Sequence, residues 1–322
     1  MGTTDSGTEA VNKQETGREP SLRDGVVGGA RCVHCGAIGT AWPIRFQDGG
    51  GLSVCAGCGG WIARDGSAES PCGVCAFPAA SGVVEHARCQ EEEGAIPPAG
   101  RTSEQELLSE AVEELLETMF ESGRPDGLTE YVTGLTSSLV EGSVPDAKFV
   151  DLGEPVVAVL PGRQLVMSLG LLAALEDEAQ LAFVIAREWE LESSGWGYRR
   201  FRAASGTRRS WWQRLTRRSV DPLERALELS MFVGYGPAAE RAADRGALAK
   251  VVHHDYDASA PLKALRRLES AAIAGRGARF LLAGERAEWL QSGARSLGCS
   301  DSTRLNREVY RRVVDGFRVF AG

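Results

Sequence analysis

The stretch FVIAREWELESS, residues 183–194, decides how the larger part of this chain is read. An apolar run from Phe183 to Ala186 leads without a break into Arg187, Glu188, Trp189, Glu190 and Leu191. The region from Asp177 onward reads almost wholly helical, so these charges fall inside a helix. Charged groups are seldom fully buried unless they are paired. Arg187 therefore either points to solvent at the helix edge or is held by carboxylates from elsewhere, and both readings are open at this level.

Upstream, Ser103 with Glu106 three residues later fits a capping box, in which each side chain satisfies an orphan amide of a first helical turn. Leu107, Leu108, Ala111, Val112, Leu115, Leu116, Met119 and Phe120 then form one broad apolar face. A second helical pattern, LTEYVTGLTSSLVEG, precedes two extended segments, AKFVDL and PVVAVLPGRQLVMSLGLL. Their Val, Phe and Leu content between Pro and Gly predicts strands of a small sheet. The expected fold class is α+β: a small N-terminal zinc-ribbon-like module joined to a mainly helical domain with a minor β-sheet. Residues 1–30 are Gly, Thr, Glu and Ser with hardly an aromatic; they cannot offset the entropy of ordering and read as a disordered tail. Residues 31–90 form a Cys/His module, 91–102 a charged Pro/Gly linker, and 103–322 the helical domain.

The segments AVLPGRQLVMSLGLLAALEDEAQLAFVIARE, 158–188, and AAERAADRGALAKVVHHDYDASA, 238–260, occur in an order and spacing that can be compared with a known pattern. Together they resemble the HtpX-type and CaaX-prenyl-protease-type zinc metallopeptidases, a zincin family. Members of that family have a strand ending in an Ala-x-Pro-Gly-like turn, a TTGLL-like helix start, an acidic helix carrying His-Glu-x-x-His, and a later Glu-x-x-x-Asp helix. The resemblance spans residues 103–275 and implies a zincin-like, mainly helical domain. It places Arg187 and Leu191 on the two histidine positions and Glu188 on the glutamate that polarises water. Glu240 falls on the third metal ligand and Asp244 on the residue that supports the site.

The departures remove the chemistry that the family performs. Neither a guanidinium nor an isobutyl group offers a lone pair to zinc. His253 and His254 are adjacent and follow the ligand helix, so they do not restore a His-x-x-x-His bite. No catalytic residue is expected, Glu188 being vestigial, and no zinc is expected among Arg187, Leu191, Glu240 and Asp244. Taking a divalent cation from between carboxylates leaves like charges face to face. The expectation is that Arg187 pairs with Glu240 or Asp244 in place of the metal, while Leu191 fills the vacated space.

Seven of the eight cysteines lie between residues 31 and 89. Cys32-x-x-Cys35 and Cys55-x-x-Cys58, in CVHCG and CAGCGG, are separated by 19 residues and match two thiolate bites on one tetrahedral zinc. Cys72-x-x-Cys75 and His86-x-x-Cys89 supply a three-Cys, one-His shell for a second. Two structural Zn2+ ions are expected, with sequential pairing preferred to an interleaved cross-brace. Disulfides are the alternative, disfavoured because the N-terminus lacks the basic-then-apolar pattern of a secretion signal. Closed four-ligand sites leave no position for substrate, so the module suits docking rather than chemistry. His34 and Cys299 are read as surface and core residues.

The net charge of −8 conceals balances of −5 over 1–100, −14 over 101–195 and +11 over 196–322. YRRFRAASGTRRSWWQRLTRR, 198–218, holds eight of the arginines, and Arg208, Arg209, Trp211, Trp212, Arg214, Arg217 and Arg218 are its candidate partner-binding residues. Three readings are open for it: an acidic protein, a membrane surface or nucleic acid, and folding onto the chain's own acidic helices. No run of residues is apolar enough to span a bilayer, and a cytoplasmic location is expected. The function expected is that of a pseudopeptidase, a protein-docking or regulatory module with a structural zinc finger. The alternatives are an active hydrolase of the same fold with non-standard ligands, and a zinc-finger adaptor for protein or nucleic acid.

Overall fold

The computed structural model describes residues 32–33, 41–45, 51–55, 58, 60–63, 67–72, 77–80, 103–123, 125–142, 144–206, 221–272, 278–280, 284–297 and 304–318. The tail expected over 1–30, the linker over 91–102 and the side chain of Ser103 lie outside them. So do Cys35, Cys75, His86 and Cys89, His34 and Cys299, and Arg208, Arg209, Trp211, Trp212, Arg214, Arg217 and Arg218.

The chain mixes helix and sheet, as an α+β class requires. The N-terminal part is an antiparallel meander of five short strands: β1 (Ala41–Arg45), β2 (Gly51–Cys55), β3 (Trp61–Ala63), β4 (Ala68–Pro71) and β5 (Pro78–Ala80). Such a small sheet buries little on its own. Leu52, Val54 and Trp61 bury their side chains instead in one cluster with residues of the helical part.

That larger part opens with α1 (Ser103–Met119), the two-residue β6 (Ser122–Gly123) and α2 (Asp126–Leu139). Three strands follow: β7 (Asp146–Val150), β8 (Val157–Leu160) and β9 (Gln164–Ser168). The sheet order is β6-β7-β9-β8, with β7 parallel to β9 and β8 antiparallel to it at the edge. The long extended segment expected from Pro155 to Leu172 is thus two strands, broken by a turn where Gly162 and Arg163 have φ of 83° and 61°, and ends in helix. Ser168 starts that helix, its Oγ accepting the Leu171 amide at 3.0 Å.

Successive strand side chains point to opposite faces, and this sheet is covered on both. Ala147, Phe149, Val157, Val159, Leu165 and Met167 face one core, with α2. Val150, Ala158, Leu160 and Val166 face the other, with Leu108, Val112 and Leu116 of α1. The Cys-containing strands join this second core.

Eight α-helices complete the described residues: α3 (Leu169–Ala174), α4 (Glu178–Ser193), α5 (Trp196–Gly206), α6 (Pro222–Glu228), α7 (Pro237–His253), α8 (Ala260–Ala271), α9 (Gly284–Ser296) and α10 (Arg307–Arg318). A π-helical turn, Leu229–Val233, extends α6, and a 3-10 turn, Ala278–Phe280, precedes α9. Helix α4 contains the FVIARE stretch and is buried from Glu178 through Glu188 on all sides. A helix buried all round shows no amphipathic stripe, which is why its periodicity is weak. Asp177 caps it, accepting Gln180 N at 2.9 Å, and the Leu305 carbonyl receives the Glu178 amide at 3.0 Å. Its principal partner is α7.

Candidate functional site

The site is built where α4 crosses α7. Arg187 and Glu188 come from α4, and Glu240 and Asp244 lie four residues apart on α7, which puts both carboxylates on one face of that helix. Helix α7 starts abruptly: Gly236 has φ of 93° and Pro237 opens the first turn, so Glu240 is delivered one turn in.

Arg187 is completely buried and binds three carboxylates. Its Nε donates to Asp244 Oδ1 at 2.9 Å, one terminal nitrogen donates to Glu188 Oε1 at 2.9 Å, and the other to Glu240 Oε2. Arg187 does not point to solvent at the helix edge, and its side chain lies between Glu240 and Asp244.

Two further arginines complete the cluster. Arg279, from the 3-10 turn, grips Glu188 with one nitrogen, 2.7 and 2.9 Å from the two carboxylate oxygens. Arg286, from α9, binds Asp244 in a fork, Nε to Oδ2 at 2.6 Å and a terminal nitrogen to Oδ1 at 2.8 Å. Forked guanidinium–carboxylate pairs are the strongest of this class. Glu240 Oε1 accepts the Tyr235 amide at 2.7 Å. Three guanidiniums therefore oppose three carboxylates in a buried space, with no net charge.

The protonation directions agree with this geometry. Burial pulls Arg187 down to about 10, aided by the Arg286 and Arg279 charges and opposed by Asp244 and Glu188, so it stays cationic at neutral pH. Burial alone would raise Asp244; the Arg286 and Arg187 guanidiniums outweigh it and hold the carboxyl below its usual range. Leu191 packs with Tyr235, Ala239, Ala243 and Trp196 in a small apolar cluster beside the charges. Glu192, one position further on, has a buried oxygen with no hydrogen-bond partner among the described residues, and burial pushes its carboxyl up to about 7 against the pull of Arg163.

The sheet edge beside the cluster is engaged as well. β8 is the outer strand, and one terminal nitrogen of Arg279 donates to both the Val157 carbonyl on that edge and, at 2.8 Å, to Ser230 O. Arg200 holds the far side, donating to Gly234 O at 2.7 Å and lying 4.1 Å over the Tyr235 ring.

The meander forms a second constellation. The sulfurs of Cys32, Cys55 and Cys58 lie within 4.8 Å of one another, with Cys32 and Cys58 at 3.9 Å. Four thiolates at about 2.3 Å around a tetrahedral zinc stand roughly 3.8 Å apart, so this spacing fits a metal shell and not an S–S bond. The Gly60 amide points at Cys58 Sγ at 3.4 Å, and Cys55 N donates to Gly60 O at 2.9 Å, closing the knuckle. Cys72 N makes the same five-residue closure with Phe77 O at 2.9 Å. Cys32 meets the second Cys-x-x-Cys pair, which is the sequential arrangement.

Arg279, Arg286, Arg200 and Tyr235 escape a sequence reading centred on 103–275. The available signal is Arg279 and Arg286 seven residues apart in an Ala- and Leu-rich segment, a place where arginine needs an acidic partner. No family model matches the chain, and no curated protein matches it.

Proposed function

We propose that this chain is a non-catalytic relative of the zinc metallopeptidases, a pseudopeptidase that serves as a protein-docking or regulatory module and carries structural zinc in its N-terminal part. One observation carries the reading: the Arg187 guanidinium sits between Glu188, Glu240 and Asp244, where a metal ion would have to sit. A cation already fills the space between the carboxylates, and Leu191 brings apolar volume where the second imidazole of a His-Glu-x-x-His site would lie. Hydrolysis by such a site needs a Lewis acid and an open position for water. The residues present do not fit a catalytic zinc, and no step is drawn through one.

The cysteine cluster does fit structural zinc. Cys32, Cys55 and Cys58 would hold the ion, with Cys35 as the fourth ligand; Cys72, Cys75, His86 and Cys89 would hold a second. Bound zinc would supply folding energy rather than chemistry. No helix among the described residues is long and apolar enough to cross a membrane. The partner in this reading is a protein in the cytoplasm; the Arg/Trp stretch also suits membrane surfaces or nucleic acid.

Metal analysis of the purified chain, with a peptidase assay on an unfolded protein substrate, tests the reading. Two zinc ions per chain and no chelator-sensitive hydrolysis are expected. The Arg187→His, Leu191→His double variant is expected to bind a third ion. Chelator-sensitive hydrolysis by the unaltered chain would overturn the proposal.

A further inference from the structure

The thiol cluster and the buried arginine cluster are joined by continuous packing. Cys55 ends β2 and Trp61 begins β3, and Val54 and Trp61 are register partners beside the knuckle. Trp61 is 2% exposed, and its cluster runs through Leu223 and Leu227 of α6 to Met231, Phe232 and Val233 of the π-helical turn. A second contact adjoins the first through Phe77: Cys72 and Ala79 pack with Phe77 and with Ala203 of α5. A third is closest to the charges, where the Pro71 ring occupies the position that a Cβ at Gly236 would need, 2.4 Å from it.

Those contacts converge on one short piece of chain. Phe232 and Val233 run directly into Gly234, Tyr235 and Gly236. The Tyr235 amide binds Glu240, and Glu240 N donates to Gly236 O at 3.0 Å. Gly234 has φ of 85°, and a Cβ there would lie 2.1 Å from Glu240 Oε1. The carboxylate is thus wedged by the turn before its helix; Pro71 of β4 abuts that turn at Gly236, and Trp61 of β3 shares a core with Phe232 and Val233 just before it.

We infer that the metal-bound cysteine module is a clamp on the Gly234–Glu240 turn, so that metal occupancy at Cys32, Cys55 and Cys58 governs whether Glu240 stays on Arg187. The inference rests on the reading of the thiol cluster as a metal site. A knuckle without its ion loses the ties among Cys32, Cys55 and Cys58 that lead into Trp61, leaving Trp61 held only by the core it shares with the helices. The wall over Phe232 and Val233 then opens, the turn gains freedom, and one carboxylate of a balanced cluster is released. The chain would report loss of metal, or thiol modification that expels it, at a place distant from the cysteines in sequence.

Hydrogen exchange on the full chain tests this, comparing protein as purified, protein stripped with a zinc chelator, and stripped protein given Zn2+ again. Exchange across 229–240 is expected to rise about tenfold on stripping and return with zinc, while β8 and β9 change by less than about twofold, since opening is local. A Pro71→Gly variant, which keeps every cysteine, is expected to speed exchange at 234–240 with its metal retained. Stripped protein with unchanged exchange at 229–240 overturns the clamp and leaves the metal site standing. A uniform rise over the whole chain also overturns it, since that is loss of general stability. A chain that purifies without metal and takes up none refutes both the clamp and the metal site.

Discussion

Replacing Arg187 with methionine keeps most of its apolar volume and removes its charge, which isolates the electrostatic part of the cluster. Glu188 would retain Arg279, and Asp244 would retain the Arg286 fork. Glu240 would keep only the Tyr235 amide among its described contacts. The variant therefore strands one negative charge in a nearly closed site. Removing one partner of a buried ion pair costs about 3–5 kcal/mol, and the remaining pairs give no reason to exceed that. At neutral pH, urea unfolding followed by tryptophan fluorescence should register a loss of about 4 kcal/mol with an unchanged slope. Protonating Glu240 relieves the stranded charge, so the deficit should shrink as the pH falls. Adding Glu240→Gln to the variant leaves two self-neutral pairs and should recover about 2 kcal/mol, a coupling typical of residues in one network. The reasoning fails if Arg187→Met lies within about 1 kcal/mol of the parent, the range of an exposed ion pair. It fails equally if the two substitutions add rather than offset.

Three more outcomes follow from specific contacts. Glu192→Gln should stabilise the chain by about 1–2 kcal/mol at pH 8 and leave it unchanged at pH 4, because a partnerless buried carboxylate is penalised only when charged. Burial pushes its carboxyl up to about 7 in the fold from an ordinary value of 4.5. The native state thus favours the protonated form, and that contribution is full below 4.5 and lost as the pH rises through 7; equal effects at both pH values would contradict it. Gly234→Ala should cost about 2–4 kcal/mol, since the positive φ is strained for alanine and its methyl displaces Glu240; thermal unfolding measures it. Trp61→Ala should cost about 3–5 kcal/mol in the same assay even though the residue belongs to the small module, because its side chain lies in a shared core.

Parts of this architecture were legible at the level of the amino acids for definite reasons. Helices α1 and α2 carry a regular period, since each presents one face to a core, whereas strands β7 to β9, buried on both faces, were legible from their Val, Leu and Phe content between Pro and Gly. For Arg187 the sequence leaves two readings open, solvent or carboxylates, and the resemblance names Glu240 and Asp244 as its partners; the structure brings both to its guanidinium. Arg279 and Arg286 were not legible as site residues, because their partners lie roughly 40 to 90 residues away and the Ala- and Leu-rich segment around them says only that an acidic partner is needed, not which. The docking of the cysteine module was hidden for a related cause. Metal-ligand spacing specifies which residues meet around an ion and is silent about what the outer face touches. The alternation of Leu52 with Val54, followed by Trp61, was the one hint that this face is apolar.

The capping of α4 by Leu305 bears on how the chain comes into being on the ribosome. The central helix carries Arg187, yet two of its first amides are satisfied by a carbonyl more than 120 residues downstream, and Tyr310 hydroxyl anchors the same end on Leu172 O at 2.6 Å. Vectorial synthesis therefore cannot finish this helix when it emerges. Its start remains open until residue 305 has been made, so this helix is completed long after its own residues are joined, and a product released before residue 305 should be recognised as incomplete by chaperones and proteases.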